Sequence, residues 1–246
     1  MKNIDSSGHV SGKSIFVDDI AELWGTLHAV VVYSEHAHAK IIDLDISKAK
    51  EAEGVVAVLT AKDIPGENQI GGIIPDEPLF AENEVHFIGQ PIALIVAKTH
   101  FAAREARKLV DVTYEELEVI TDPRIAQEKG HLLFPSRTFA NGDTTKAFPD
   151  CHHVFSGRAD SGGQEHLYIE TQGSYVIPLE NNDIKIYSST QGPTIVQKLA
   201  ARVLGLSMHQ IEVDVTRLGG AFGGKEDQAT AWAVMAALAV QKLKKP

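Results

Sequence analysis

The chain is nearly devoid of cysteine: Cys151 is the only one in 246 residues. An internal disulfide framework is therefore excluded, and so is an iron–sulfur cluster held by cysteines of this chain alone. Beside His152 and His153, Cys151 could suggest a nucleophile or zinc ligand, but a small buried or surface residue at a strand start is the favoured reading. Basic charge is also scarce. A net charge of −10 speaks against nucleic acid and against acidic membrane surfaces, both of which need a basic patch. The start, Met1-Lys2-Asn3-Ile4-Asp5, has no apolar core of a signal peptide. The longest apolar run, Ala229 to Val240, is too short to span a bilayer. A cytoplasmic protein is expected. No internal repeat or low-complexity tract breaks the chain.

What is present is an ordinary globular composition, 43% hydrophobic and 23% charged, with length for one large or two modest domains. The organising stretch is Arg217-Leu218-Gly219-Gly220-Ala221-Phe222-Gly223-Gly224-Lys225-Glu226. Before it, Ile211 to Val215 alternates apolar and acidic residues as a half-buried strand does. After it, the alanine-rich run from Ala229 reads as a buried helix. A glycine turn between strand and helix brings backbone N–H groups close to a ligand and favours anions or oxygen-rich groups. Gly219 followed after four residues by Gly224-Lys225 fits the phosphate loop G-x-x-x-x-G-K-[ST] up to its last position. There Glu226 replaces the hydroxyl that would ligate Mg²⁺, and its carboxylate would repel phosphate. The dinucleotide fingerprint fails at Ala221.

Residues 12–120 read as strands interleaved with helices. Leu27–Tyr33 is a mostly buried strand, Ile41–Ile46 a half-exposed one and Val55–Thr60 a third. Ser47 starts a short helix closed by Gly54. Glycines and prolines mark a loop over Pro65–Pro78. Val85–Val96 reads as one more strand, with Pro91 at its start or on a sheet edge. Thr99 caps a helix whose apolar face is expected to hold Phe101, Ala102, Ala106 and Leu109. Val110–Tyr114 follows as a strand. Asp18-Asp19 is expected to cap backbone N–H groups or face water. His36 and His38 have the i, i+2 spacing of a metal pair, but no third ligand accompanies them in sequence, which favours a structural role. Residues 121–150 read as a linker. Beyond it, Tyr168–Ile177 and Ile184–Tyr187 read as strands around an Asn181–Asp183 turn. A helix starts at Pro193, shows Ile195, Val196, Leu199, Ala200, Val203 and Leu204 on one face and stops at Gly205.

A second motif, Gly162-Gly163-Gln164-Glu165-His166-Leu167-Tyr168-Ile169-Glu170, lies upstream of the glycine turn. Together the two resemble the G-G-Q-E-H-x-Y-x-E and R-x-G-G-x-F-G-G-K-E motifs of the molybdenum-binding subunit in the xanthine dehydrogenase and aldehyde oxidase family. Gly12 to Ile20 resembles its opening G-x-A-x-Y-x-D-D-I, Gly89-Gln90-Pro91 its G-Q-P, and Gly142-Asp143 its approach to the molybdenum domain. The resemblance implies an α+β chain: an α/β hammerhead domain at 12–120, a linker at 121–150 and the first part of a molybdopterin-binding domain at 151–246. It implies a molybdenum–molybdopterin cofactor and hydroxylation of hypoxanthine or xanthine with water as oxygen source. Iron–sulfur and FAD units on partner chains would carry the electrons, within an oligomer that includes the remainder of the molybdenum subunit.

By that resemblance Gln164 would place its amide near a molybdenum oxo group. Phe222 and Gly223 would offer backbone amides to the cofactor, and Glu226 would contact the purine. Each has a plainer reading. Gln164 could satisfy buried backbone near a strand start, Phe222 could pack in the core, and Glu226 could be a favourable charge in the first turn of a helix. The family's catalytic glutamate falls beyond this sequence, so no catalytic residue is expected here, and the chain by itself is expected to be inactive. Apolar surface of the Ala229–Val240 helix is expected to lack a match. An aldehyde or other heterocycle hydroxylase, a phosphate-loop nucleotide binder and a non-catalytic interaction module stand as alternatives.

Overall fold

The computed structural model describes residues 4–246; the first three residues of the chain's start lie outside the described residues. Two compact units are found, one made of the segment up to Leu117 together with His166–Pro246, the other of Glu118–Glu165. In order, the first unit contains α1 (Ser6–Val10), β1 (His28–Tyr33), β2 (Ala39–Asp45), α2 (Ser47–Glu51), β3 (Val55–Thr60), β4 (Glu84–Val85), β5 (Pro91–Ala97), α3 (His100–Arg107) and β6 (Asp111–Glu116). The second unit holds the short helices α4 (Pro123–Glu128) and α5 (Thr144–Ala147). The first unit resumes with β7 (Ser174–Pro178), β8 (Ile184–Ser188), α6 (Pro193–Leu204), β9 (Ile211–Asp214) and α7 (Ala229–Leu243).

Strands β1, β5 and β3 form an antiparallel sheet with β5 in the centre. Its strands are apolar on both faces because both faces are covered, which is why they read as continuous apolar runs. Val30, Val32, Val58, Ala93, Ile95 and Ala97 pack with Ala103 and Ala106 of α3 and Ala49 of α2. The opposite side chains, Val31, Leu59, Leu94 and Val96, join a larger core with Val176, Ile186, Val203, Val234 and Leu238. That core connects the first sheet to a third one, in which β8 pairs antiparallel with β7 and parallel with β9. A second antiparallel sheet has the order β4-β2-β6.

Local signals place several boundaries. The Thr99 hydroxyl accepts the Ala102 N–H at 3.1 Å and caps α3. Pro193 opens α6, and Gly205, with φ 64°, closes it. Asn181 and Asn182 both take positive φ at the β7–β8 turn. Asp19 accepts the Phe16 N–H at 2.9 Å, so this acidic pair does cap a turn.

Other expectations are corrected. The expected strand over Val85–Val96 is interrupted: Gly89, with φ 93°, and Gln90 form a turn between β4 and β5. Pro91 opens β5, the central strand, and so does not lie on an edge. Tyr168–Gly173 is irregular, and pairing begins only at Ser174. Cys151 is exposed after a short 3-10 turn, not at a strand start. On α3, Phe101 is 75% exposed; Leu109 lies beyond the helix, which ends at Arg107, and is 42% exposed. The small residues Ala103 and Ala106 face the sheet, because the close approach of α3 leaves no room for a ring. Helix α7 does not present an unmatched apolar side: Ala233, Val234, Met235, Ala237 and Leu238 are buried. Exposed apolar side chains such as Leu133, Phe139 and Phe155 lie instead in the second unit.

The close seating of α3 makes a distinct prediction. Ala106→Leu should destabilise the protein by about 1–3 kcal/mol through overpacking, whereas Phe101→Ser should stay within about 0.5 kcal/mol. Denaturant unfolding of both variants checks this, and the reverse order would reinstate the Phe101 face.

Candidate functional site

The glycine turn follows β9 and is held from beneath by a buried ion pair. Lys225 is fully buried, and its ammonium donates to the Glu170 carbonyl at 2.6 Å, the Ser189 hydroxyl at 2.7 Å and Glu170 Oε2 at 3.3 Å. All three ammonium protons are thereby used. The ammonium also sits 4.6 Å from the centre of the Tyr168 ring. Glu170 Oε2 accepts further bonds from Ser189 Oγ at 2.6 Å and from the Gly219 N–H at 2.7 Å. The Lys225 carbonyl accepts from the Gln191 N–H at 2.8 Å and the Thr190 hydroxyl at 3.1 Å. The two sequence motifs thus meet: Tyr168 and Glu170 of one are clasped by Gly219 and Lys225 of the other.

Gly219 is needed for that closeness, since a Cβ there would lie 2.4 Å from the Glu170 Cβ. Arg217 anchors the start of the turn, donating to Asp5 at 2.8 Å. Burial pushes the Glu170 carboxyl up, but the Ser189 hydroxyl, the Gly219 N–H and the Lys225 ammonium outweigh it and hold the group below its ordinary range.

On top of this base, Phe222 and Gly223 take φ of 54° and 87°. A bulky residue in the left-handed region is strained, and such strain gathers where a backbone is shaped for a ligand. Phe222 is 75% exposed, so it does not pack in the core as its plainer reading required. Among the described residues, neither the Phe222 nor the Gly223 N–H donates to a protein acceptor. A Cβ on Gly223 would meet nothing within 4 Å, so the backbone conformation and not crowding demands glycine there. The turn therefore leaves two adjacent, uncharged donors without a protein acceptor, a donor set that suits an oxygen-rich group.

Glu226 is exposed beside this turn. It precedes α7, which starts at Ala229 and has no acidic residue in its first turn, so the helix-charge reading is removed. Phe222, Gly223 and Glu226 are brought together with Tyr168 and Glu170 in the first unit, while Gln164 belongs to the second. Gln164 is exposed in an irregular stretch, its amide 3.5 Å from the Glu165 carbonyl; it neither serves buried backbone nor adjoins a strand. Lys225 cannot act as a phosphate-loop lysine, because its ammonium is spent inside the core. Sequence reasoning passed over Lys225, Ser189 and the Glu170 carboxylate as a network. Only the spacing of a charged residue inside each motif hinted at it.

The pair sets the acid stability of the turn. Because the folded-state pKa of Glu170 is depressed, its contribution is complete above the ordinary carboxylate range and is lost as pH falls through the lower folded value. Glu170→Gln should flatten the acid limb of a stability-against-pH curve. Lys225→Met, which strands a buried carboxylate, should cost about 3–5 kcal/mol at neutral pH. Unfolding free energies measured across the acid range test both, and an unchanged acid limb in Glu170→Gln would contradict the network.

The chain is similar to known proteins along its length. A family model described as aldehyde oxidase and xanthine dehydrogenase, a/b hammerhead domain, matches residues 11–118. Another, described as molybdopterin cofactor-binding domain, matches residues 125–246. The chain is 41% identical to a xanthine dehydrogenase of Dictyostelium discoideum, over 100% of this chain and 18% of that relative. It is 38% identical to aldehyde oxidase 3 of Mus musculus, over 97% of this chain and 18% of the relative. Among solved structures, the aldehyde oxidoreductase from Desulfovibrio gigas superposes with a TM-score of 0.85 at 28% identity, covering 96% of this chain and 28% of that one. The CO dehydrogenase from Oligotropha carboxidovorans gives 0.80 at 28% identity, covering 100% of this chain and 34% of that one. The chain thus spans only 18% of the length of the curated relatives quoted. With both domain models matched in order, the chain belongs to the xanthine dehydrogenase and aldehyde oxidase family.

Proposed function

We propose that this chain is part of a molybdenum hydroxylase that oxidises hypoxanthine and xanthine to urate. The observation that carries the reading is the pair of N–H groups at Phe222 and Gly223, which donate to no protein acceptor among the described residues and lie in a strained turn beside the buried Glu170–Lys225 pair. Those donors fit an oxygen-rich cofactor, and the molybdopterin-binding model covers them. When bound, the molybdenum–molybdopterin group supplies the redox centre at which a ring carbon is hydroxylated with oxygen taken from water.

The residues of this chain bind and orient. The Phe222 and Gly223 amides would hold the cofactor, and the resemblance of its motif assigns the Gln164 amide a donor role toward an oxygen of that group, one that adds no charge. Glu226 accepts ring N–H groups of the purine. With one cysteine in the sequence, cysteine-held iron–sulfur centres belong on partner units; the resemblance places FAD there too, and the proton acceptor on the rest of the molybdenum subunit. Among the described residues no helix is long and apolar enough to cross a membrane, and we place the assembly in the cytoplasm as an oligomer. Hydroxylation of an aldehyde or another heterocycle is the second reading, supported by the likeness to aldehyde oxidase 3 of Mus musculus.

In the complete, cofactor-loaded enzyme, Glu226→Val should lower kcat/KM for xanthine about ten- to a hundredfold, the loss of one charged hydrogen bond worth about 1.5–3 kcal/mol. It should spare an aromatic aldehyde, which has no matching ring N–H. Parallel kinetics at equal molybdenum content separate the two readings, and equal losses on both substrates would remove Glu226 from substrate contact. Gly223→Val should reduce molybdenum and pterin content per protein while leaving the fold intact. Full cofactor content in that variant would end the assignment of the turn.

A further inference from the structure

We propose that His38, Glu84 and His86 form a binding site for a divalent transition-metal ion of the zinc class. The antiparallel pairing of β2 with β4 sets Ala39 opposite Val85 and Lys40 opposite Glu84. Ala39 and Val85 point into the core and are fully buried. Side chains alternate along strands, so His38, Lys40, Glu84 and His86 share the other face. Lys40 leaves that group by pairing with Glu115 of β6 at 3.1 Å. The remaining three converge: His38 Nε2 lies 2.7 Å and His86 Nδ1 3.6 Å from Glu84 Oε1. One ligand atom from each falls within 4.8 Å of the others.

Bonds of about 2.0–2.1 Å to a tetrahedral ion place ligand atoms about 3.3–3.5 Å apart, so an ion enters with small rotations of partly exposed side chains. Two imidazoles and a carboxylate are a zinc-type donor set, and three protein ligands leave a fourth position for water.

The backbone already holds the ligands in place. The His86 N–H donates to the buried Gln90 side chain at 2.7 Å, and the His38 carbonyl accepts the Leu117 N–H at 3.0 Å. The two imidazoles stack with ring centres 5.8 Å apart. His36, two residues from His38, takes no part: it faces Glu116 at 3.4 Å and the Tyr114 ring at 4.4 Å. The sequence spacing of His36 and His38 thus pointed to the wrong pair. His38 does join a candidate metal site, with partners supplied by a different strand.

Calorimetric titration of the full chain, stripped of loosely bound metal, with Zn²⁺ alone tests the site. One ion should bind there, and Mg²⁺ should not compete. Loss of outer partners of metal ligands costs about 10–100-fold in affinity, so His86→Ala and Glu84→Gln should each weaken binding at least tenfold, with unchanged circular dichroism. His36→Gln should bind as the parent does. Zn²⁺ affinity that survives the loss of both His86 and Glu84, as it would if Cys151, His152 and His153 held the ion, overturns the proposal. So does an affinity that depends on His36.

Discussion

One buried ion pair carries the candidate site. An ammonium and a carboxylate removed from water are expensive, and their attraction offsets that cost only when the remaining protons and lone pairs are satisfied. Lys225 meets the condition with three acceptors, and Glu170 meets it at Oε2 alone, with a hydroxyl, a backbone N–H and the ammonium, while its buried Oε1 has no hydrogen-bond partner among the described residues. The pair is costly to break and tolerates few geometries. It therefore fixes the register of two segments that lie far apart in the chain, and it fixes Gly219 within a hydrogen bond of Glu170. The strain at Phe222 and Gly223 is held by this base, since a turn alone would relax out of positive φ at a phenylalanine.

The base is in turn built on the core. Ser189 directly follows β8, whose Ile184, Ile186 and Ser188 are buried beneath α6 and α7. Gln191, just before α6, receives the Lys225 backbone. The ends of a central strand and of a packed helix thus supply the acceptors and donors, and their positions are set by burial of apolar side chains. A site resting on such elements is more exact than one carried by loops alone. Only the outward face of the turn, where the free N–H groups and Glu226 lie, is left without internal commitments.

What could be read from the sequence follows from the range of the forces involved. Thr99, Pro193, Gly205 and the two asparagines act on backbone within a few residues, and their roles are plain in the letters. The apolar runs of β1 and β5 are equally plain, because burial on both faces needs no knowledge of a partner. Phe101 misled because helical spacing records apolar character without recording how closely the sheet approaches, and Leu109 because the helix ends before it, at Arg107. The strand expected from Tyr168 failed because its residues are drawn toward Lys225 and Gly219 and not into a ladder. The grouping of His38 with Glu84 and His86 depends on the β2–β4 register, which no local spacing encodes.

Lys225 shows why a motif is weaker evidence than its geometry. By spacing it is a phosphate-loop lysine; by position it is a buried strut whose charge never reaches a ligand. The same division runs through the whole turn. Arg217, Gly219 and Lys225 face inward and hold, while Phe222, Gly223 and Glu226 face outward. The inward residues answer to the fold, so any member that builds this turn must supply something equivalent to them. On the proposed reading the Phe222 and Gly223 amides answer to the cofactor, because a main-chain donor is offered by any residue whose φ the turn permits. Glu226 alone of these offers a side-chain charge at the rim, and a change there disturbs neither the buried pair nor the amides. On the proposed reading, a substitution at Glu226 alters substrate preference while the cradle stays fixed.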